Sequence, residues 1–323
     1  MVIENEAGKL TTDYNIYSSE AFKCYKYFNL EHFQDFQTID IFKDTIDQLC
    51  IAHNQFPNIT YTHVEKPVFE KNKKVLLLCS GGLDSVYQAF ILRDKGYEVT
   101  LLHLSNANYY SNGQEKKVVE AFAEKFNFPL IMTKIAPNFK SDYKKFWAEN
   151  SFKDALLYTI AIDYMINLKI GNLSSGDDLR LPMANQALGV NTGDCREVTE
   201  AFMKSFGVNF IPVDDTKIKS DRLKKIYDEG AEDYYNSCVS VGRLTEFFRK
   251  NAEKKYNVKL DKYCCTKCRK CASHIAYNYY FNNMFYPKEL IDECFKVMAE
   301  KADAVYFANK NTDEERREAL RNY

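Results

Sequence analysis

The alternation of apolar and polar residues from Lys73 onward predicts strands that are followed by helices. Residues 75–79 form an apolar run between charged residues and a Ser-Gly-Gly sequence, a pattern typical of a buried parallel strand. After this run, apolar residues recur at three- and four-residue spacing, as on one face of a helix, and Gly96 supplies a stop. The members of this apolar stripe are Leu83, Val86, Tyr87, Phe90 and Ile91.

The same alternation continues further along the chain. Apolar runs predict strands at residues 97–104, 128–135 and 169–173, and helical spacing predicts helices at residues 118–126 and 151–168. Strands that alternate with helices indicate an α/β fold with a doubly wound parallel sheet. In such a sheet, ligands bind beyond the carboxyl ends of the strands.

The composition excludes several classes of protein. With 46% hydrophobic and 15% aromatic residues, the chain can bury a sizeable core, which excludes disorder for its bulk. The 44 basic and 45 acidic side chains leave a formal charge of −1, so we do not expect nucleic acid as a partner. No apolar run reaches the ~18 residues of a membrane span, and the first residues lack the layout of a signal peptide. We therefore expect a cytoplasmic protein without a membrane partner.

The first seventy residues differ in charge from the rest of the chain. They contain 5 Lys, no Arg and 11 Asp or Glu, a net charge of −6, which leaves +5 for residues 71–323. We therefore predict an N-terminal extension at residues 1–70, a nucleotide-binding α/β domain at residues 71–215 and a helical region at residues 216–323. The extension is a candidate surface for a protein partner, and a homodimer is a further candidate assembly.

Residues 80–85, Ser-Gly-Gly-Leu-Asp-Ser, follow the first predicted strand and open the first predicted helix. The free N–H groups and the dipole at a helix N-terminus favour an anion. The two glycines allow a tight turn and a close approach of phosphate, and two serines add hydroxyl donors. This loop is therefore a candidate phosphate site, although it is neither a Walker A loop nor a GxGxxG sequence.

The hexapeptide resembles the pyrophosphate loop of the PP-loop ATP pyrophosphatases, which have an adenine nucleotide alpha hydrolase-like fold. The resemblance implies that ATP binds with Mg²⁺, that a substrate is adenylated and that pyrophosphate leaves. It implies that Asp84 helps to organise Mg²⁺ and phosphate, with Ser85 as a second catalytic residue of the loop. Adenine is expected at the main chain of residues 102–105. The implied nucleotide-binding residues are Ser80, Gly81, Gly82, Leu83, Asp84, Ser85 and Leu104.

Downstream segments resemble those of the 7-cyano-7-deazaguanine synthases, in the order of that family. These are residues 112–115 (Asn-Gly-Gln-Glu), residues 193–196 (Gly-Asp-Cys-Arg), residues 211–217 before a Lys-led helix, and Ser-Cys at residues 237–238. The chain departs from the family where Asn112 replaces a tyrosine and where Glu149-Asn150 replaces an Arg-Asn pair. These departures affect the choice of substrate more than the chemistry of ATP.

Charged and amide side chains in these segments are candidate substrate ligands. Arg196 and Lys217 are candidate catalytic cations for phosphate or carboxylate. Asp194 can accept two parallel hydrogen bonds from the edge of a deazaguanine. Asp177 and Asp178, which follow the fourth predicted strand, compete for that role or for Mg²⁺. The candidate substrate residues are Gln114, Asp177, Asp194 and Arg196.

Four of the ten cysteines crowd into residues 264–271, and Cys238 lies upstream. Four thiolates in tetrahedral reach are typical of a structural zinc site, so Cys238, Cys265, Cys268 and Cys271 are the candidate ligands. Cys264 or His274 is an alternative ligand. An iron–sulfur cluster, as in some PP-loop tRNA thiolases, is an alternative metal group. Buried cysteines without metal are the structural alternative.

The resemblance implies an ATP-dependent ligase that acts on a small molecule. It would adenylate 7-carboxy-7-deazaguanine for attack by ammonia, which gives an amide and then the nitrile precursor of queuosine-type bases. Two alternatives stay open. One is a relative from an antiviral defence system that joins a deazaguanine to a protein amine, and the other is a tRNA-modifying enzyme of the thiolase or lysidine-synthetase type.

Overall fold

The computed structural model describes residues 9–14, 69, 71–105, 114–135, 161–162, 164–176, 207–214, 216–236, 238, 242–301 and 304–322. The chain divides into two compact units. The first consists of residues 1–79, 88–111 and 128–213, and the second of residues 80–87, 112–127 and 214–323. No helix among the described residues has the length and apolar character needed to cross a membrane.

The first unit is built on a parallel sheet, in which six strands are described. The strands are Lys9–Tyr14 (β1), Lys74–Leu78 (β2), Glu98–Ser105 (β3), Leu130–Ile135 (β4), Asn172–Ser175 (β5) and Asn209–Ile211 (β6). Their order in the sheet is β1-β4-β3-β2-β5-β6, and every pair is parallel. The prediction of a doubly wound parallel α/β fold is therefore confirmed.

Strand β2 lies at the centre of the sheet because its residues are apolar on both faces. Val75 pairs with Val99 of β3 on one side and with Asn172 of β5 on the other. Leu76 and Leu77 are fully buried, as expected for an inner strand of a parallel sheet. The chain runs from β2 through β3 to β4 on one side and later places β5 and β6 on the other. The winding direction therefore changes at β2, where ligands bind in folds of this kind.

Two strands differ from the sequence prediction. β5 begins at Asn172, three residues later than expected, because the preceding helix closes over the predicted start. Lys169 has a left-handed φ of 53°, and the Ile170 N–H donates to Met165 C=O, which is a helix C-cap. β1 was not predicted, since its sequence KLTTDY lacks an apolar run, and among the six described strands it pairs with β4, at the end of the strand order.

Two helices follow the central strands at the predicted places. They are Leu83–Asp94 (α1) and Gln114–Phe126 (α2). Gly96 has a φ of +77°, which confirms it as the stop after α1. Residues 161–162 and 164–168 are helical, inside the helix predicted at residues 151–168.

The second unit is helical in its carboxyl-terminal part, as predicted. Its helices are Lys219–Asp228 (α3), Gly242–Tyr256 (α4), Arg269–Phe281 (α5), Lys288–Lys301 (α6), Ala304–Phe307 (α7) and Asp313–Asn322 (α8). Helix α5 packs against α3, α6 and α8. Edge-to-face aromatic contacts join Tyr280 to Phe295 and Phe295 to Phe307. Helix α5 is therefore the centre of this hydrophobic core.

Candidate functional site

The loop at residues 80–85 depends on Gly81. Its φ is +74°, in the left-handed region that favours glycine. A Cβ at this position would lie 3.0 Å from Val119 Cγ2 and 3.1 Å from Val118 Cγ1, both on α2. Backbone conformation and the close approach of α2 therefore both require glycine here.

Serine side chains hold the loop onto the first turn of α1. Ser80 Oγ accepts a hydrogen bond from Gly82 N–H at 3.3 Å, and the buried Ser85 hydroxyl donates to Gly82 C=O at 3.1 Å. The Val86 N–H donates to the same carbonyl at 3.0 Å, which starts the helical ladder. The first N–H groups of a helix have no carbonyl partner within it, so this end of α1 is where an anion would bind.

Asp84 forms an ion pair with Arg222 of α3. Arg222 Nη1 donates to Asp84 Oδ1 at 2.6 Å. The Arg222 side chain is fully buried, whereas the Asp84 side chain is 32% exposed. The guanidinium carbon also lies 5.9 Å from the centre of the Tyr87 ring. A buried cation therefore fixes the orientation of the loop carboxylate and leaves part of it open to solvent.

Gln114 is the first residue of α2. It lies one helical turn before Val118, whose side chain approaches Gly81, so the two share one face of the helix. The Gln114 Oε1 atom is buried and has no hydrogen-bond partner within the described part of the chain. A buried acceptor of this kind is costly unless a ligand supplies a donor. The chemistry of Gln114 therefore fits its predicted role as a substrate ligand.

The four predicted metal ligands come together. The Sγ atoms of Cys238, Cys265, Cys268 and Cys271 all lie within 4.8 Å of one another, and all four residues are buried. Zn–S bonds of about 2.3 Å in a tetrahedron separate sulfurs by roughly 3.8 Å. The arrangement therefore fits a metal ion that soft sulfur ligands bind.

The main chain around the cluster already directs N–H groups at sulfur. Cys268 is the N-cap of α5, and its Sγ accepts from Cys271 N–H at 3.5 Å. Cys265 N–H donates to Cys271 Sγ at 3.3 Å, and Lys267 N–H donates to Cys265 Sγ at 3.4 Å. Such bonds stabilise thiolates, as does the positive end of a helix dipole.

The thiols of Cys238, Cys268 and Cys271 have raised pKa values. Burial raises the pKa of Cys271 well above its usual range, and hydrogen bonding with Cys265 raises the pKa of Cys238. Four sulfurs this close cannot all carry a negative charge without a cation. The chemistry of the donor set therefore fits a bound divalent metal, whose charge would favour the thiolates.

The alternative ligands lie outside this group. Among the described residues, the set of ligand atoms within mutual reach contains neither Cys264 nor His274, although both residues are buried. His274 Nδ1 has no hydrogen-bond partner in the same part of the chain, and burial lowers the pKa of His274 to about 3. The structure therefore favours Cys265 over Cys264 and a four-cysteine set.

Residues 70–150 match the family model described as Thiamine biosynthesis protein (ThiI). This range contains the loop, β2, β3 and β4, with the loop directly after the central strand. The chain carries a PP-loop domain. PP-loop domains of this kind use ATP with Mg²⁺, and the match is the ground on which an ATP-dependent activity is proposed below.

Curated relatives of this PP-loop protein carry a more specific name. A "7-cyano-7-deazaguanine synthase 2" from Sulfurisphaera tokodaii is 45% identical over 62 residues, which is 19% of this chain and 13% of that protein. A "7-cyano-7-deazaguanine synthase" from Saccharolobus solfataricus is 42% identical over 67 residues, 20% of this chain and 14% of that protein. The matched stretch therefore spans about a seventh of the length of these relatives.

Solved structures with some similarity to this PP-loop protein include two archaeal ones. The U34-tRNA thiolase NcsA from Methanococcus maripaludis, with its [4Fe-4S] cluster, is 18% identical, with a TM-score of 0.41 over 58% of this chain and 69% of that chain. A predicted tRNA methyltransferase subunit from Methanocaldococcus jannaschii is 16% identical, with a TM-score of 0.34 over 56% and 87%. At TM-scores below 0.5, neither similarity bears on the function or the metal.

Of the remaining residues predicted for the nucleotide and substrate sites, some lie within the described part of the chain and others do not. Lys217 has an exposed side chain in the turn before α3, and Leu104 is buried in β3. Leu102 C=O, near the expected adenine site, accepts a hydrogen bond from Cys79 N–H at 2.9 Å. The other predicted residues lie outside the described part of the chain and stay predictions: Asp177, Asp178, Asp194 and Arg196.

Two residues that support the PP-loop were missed in the sequence. Arg222 stood within a run of basic residues, yet it precedes Ile226 by four positions and so shares the buried face of α3. That spacing was the available signal. The buried His103 ring lies with Nδ1 2.9 Å from Cys79 O, just before the loop. Nothing in the local sequence distinguishes His103 from an ordinary strand residue.

Proposed function

We propose that the chain is an ATP-dependent ligase that adenylates 7-carboxy-7-deazaguanine, or a related deazapurine acid, for attack by ammonia or another amine. The observation that carries this proposal is the loop at residues 80–85, which combines a left-handed Gly81 with a carboxylate held by buried Arg222. The substrate class rests on the synthases that share 42–45% identity over short stretches. The products would be an amide or nitrile such as 7-cyano-7-deazaguanine, AMP and pyrophosphate.

Adenylation solves a chemical problem for this reaction. A carboxylate does not lose oxygen to ammonia at neutral pH, because hydroxide is a poor leaving group. Attack of the carboxylate oxygen on the α-phosphorus of ATP forms an acyl-adenylate and expels pyrophosphate. Ammonia then displaces AMP and gives the amide. A second cycle, on the amide oxygen, would remove that oxygen and leave the nitrile.

The loop would stabilise the departing pyrophosphate. Main-chain N–H groups at the start of α1 would donate to the developing charge, an electrostatic effect that dominates many nucleotidyl transfers. Mg²⁺, when bound, would neutralise phosphate charge and align the leaving group. Asp84 would bind the ion through the part of its carboxylate that stays exposed, while Arg222 holds the other oxygen.

The base and carboxylate of the substrate need separate ligands. Gln114 would accept a hydrogen bond from the deazapurine through its buried Oε1 atom. Asp194 would accept from N1–H and the 2-amino group, with Asp177 as the competing candidate. Arg196 and Lys217 would bind phosphate or the substrate carboxylate.

The cysteine cluster would have a structural role in this enzyme. Four cysteine ligands close the coordination of zinc and leave no open position for substrate. The described ligands are all buried, which agrees with a closed site. We propose zinc as the ion that Cys238, Cys265, Cys268 and Cys271 would hold.

A tRNA-modifying enzyme is the second candidate, and helix α4 is the observation that favours it. Its sequence GRLTEFFRKNAEKKY has five basic and two acidic residues, and Leu244 and Phe247 are more than half exposed. Basic side chains with exposed apolar side chains can bind phosphate and stack on bases.

A defence-system enzyme that joins a deazaguanine to a protein amine is a variant of the first proposal.

The decisive experiment compares candidate substrates for adenylation in one assay. Protein, ATP and Mg²⁺ are incubated with 7-carboxy-7-deazaguanine and ammonia, with 7-deazaguanine as the control that lacks the carboxylate, or with unmodified tRNA. We expect pyrophosphate release and a new amide or nitrile mass only with the acid. Release with tRNA and not with the acid would refute the ligase proposal and support the second candidate.

A further inference from the structure

The metal cluster and the nucleotide loop are joined through one residue, Asn236. The Asn236 N–H donates to Gly81 C=O at 2.7 Å. The Asn236 side chain Oδ1 accepts from the N–H of Cys238 at 3.0 Å. A chain of two hydrogen bonds therefore runs from the peptide of the left-handed glycine to the first cysteine of the cluster.

The two residues that these hydrogen bonds connect, Gly81 and Cys238, both lie where a small shift would matter. A Cβ added at Gly81 would lie only 3.0–3.1 Å from Val118 and Val119, so this residue is closely packed, and a shift of its peptide would move the loop N–H groups. Cys238 comes from a segment distant in sequence from the other three cysteines. Its buried Sγ also lies 3.3 Å from Thr245 Oγ1.

We propose that Asn236 is a positioning residue that couples the metal at the four cysteines to the phosphate-binding loop. A metal ion fixes Cys238, the Cys238 N–H fixes the Asn236 side chain, and the Asn236 main chain fixes the Gly81 carbonyl. Metal and nucleotide then stabilise each other's sites. This inference rests on the proposed function, because it takes the loop to bind ATP.

The coupling has a reciprocal consequence that can be measured without turnover. If metal at the cluster strengthens nucleotide binding, nucleotide at the loop must strengthen metal binding by the same factor. A bound ATP analogue should therefore tighten zinc binding. Because the analogue would hold Cys238 in place through Asn236, we expect this gain to appear as slower loss of zinc. The effect should depend on the Asn236 acceptor and not on other contacts of Cys238.

The test uses the full chain loaded with zinc. Zinc transfer to a coloured chelator is followed with and without a saturating, non-hydrolysable ATP analogue, whose binding is measured separately by calorimetry. We expect the analogue to slow zinc release on the order of fivefold in the wild type, within the usual range of allosteric coupling. In Asn236→Ala, the ratio of the zinc release rate without the analogue to that with it should fall to about one. In Asn236→Asp, which keeps an acceptor oxygen, this ratio should stay near the wild-type value.

Thr245→Val is the matched control, because it removes the contact of Thr245 Oγ1 with Cys238 Sγ and changes neither hydrogen bond of Asn236. It should keep the wild-type ratio, whatever its absolute rate of release. Analogue binding without any slowing of release in the wild type, or an unchanged ratio in Asn236→Ala, would overturn the coupling alone. Failure of the analogue to bind would overturn the proposed function and this inference with it.

Discussion

At the residue scale, the contact between Arg222 and Asp84 differs in kind from the exposed ion pair of Lys224 and Asp228 on α3. Lys224 and Asp228, four residues apart on the same helix, are both more than half exposed. Water and salt screen such a pair, and it contributes little to stability. Arg222 is fully buried, so its attraction to Asp84 is screened much less. The loop carboxylate is therefore held by a strong, directed contact.

A pair of double-mutant cycles tests this difference. We expect the coupling free energy between Arg222→Met and Asp84→Asn to be about 2 kcal/mol in chemical unfolding, as for a buried charged pair. The matched cycle of Lys224→Met and Asp228→Asn should give roughly 0.3–0.5 kcal/mol. Equal coupling energies in the two cycles would contradict the role given to Arg222.

A second residue-scale prediction concerns the buried carboxyl of Asp261. Burial raises its pKa from 3.8 to about 6, against hydrogen bonds from Tyr227 and Tyr235 that lower it. The folded state therefore binds this proton at a higher pH than the unfolded state does. The stability that this group contributes is complete below about pH 4 and is lost as the pH rises through 6.

Asp261→Asn removes this titration and keeps an acceptor for the tyrosine hydroxyls. The free energy of unfolding of Asp261→Asn, minus that of the wild type, should rise by roughly 1 kcal/mol between pH 5 and pH 8. Urea unfolding of the two proteins across this range measures the difference. A difference that stays constant or falls with pH would show that the carboxyl is not protonated more readily in the fold.

At the element scale, the loop between β2 and α1 should tolerate no side chain at Gly81. We expect Gly81→Ala to destabilise the protein and to abolish binding of an ATP analogue, because a methyl group would meet Val118 and Val119. Gly230→Ala is the matched control, since Gly230 has a φ of +66° and an added methyl group there would meet nothing within 4 Å. It should cost about 1 kcal/mol and leave binding intact. Equal losses in both variants would remove the steric basis of the loop.

Zinc binding at the turn that begins α5 should depend on the four cysteines of the cluster and not on other buried cysteines. Cys268→Ser replaces a soft ligand, so we expect zinc content to fall well below one ion per chain and the second unit to lose stability. Cys294→Ser changes a fully buried cysteine of α6 outside the cluster and should retain zinc. Metal analysis and thermal unfolding measure both effects. Full zinc content in Cys268→Ser would refute the ligand assignment.

The elements that the sequence predicted correctly are those with a strong local pattern. Apolar runs indicated β2, β3 and β4, and the spacing of apolar residues indicated α1 and α2, because burial on one or both faces leaves a repeat in the sequence. The start of β5 was wrong because the helix cap at Lys169 is set by hydrogen bonding and not by polarity. β1 left no apolar pattern, and its pairing with β4 is a tertiary effect.

At the scale of the whole molecule, local sequence patterns predicted part of the site, and the rest is set by contacts between residues distant in the sequence. The loop and the cysteine spacing are local motifs, and both could be read directly. Arg222 and Asn236 act through contacts with residues 138 and 155 positions away, which no local pattern records. The assignment of substrate residues and of the domain boundaries stays a prediction.

The central claim is that residues 80–85 hold the diphosphate of ATP while a carboxylic acid becomes an acyl-adenylate. Exchange of labelled pyrophosphate into ATP measures that step directly, because it requires reversible adenylation and no amine. We expect exchange that depends on 7-carboxy-7-deazaguanine and Mg²⁺ and that is lost in Asp84→Ala. Exchange that persists in Asp84→Ala, or cleavage of ATP to ADP with no exchange for any acid, would contradict this claim.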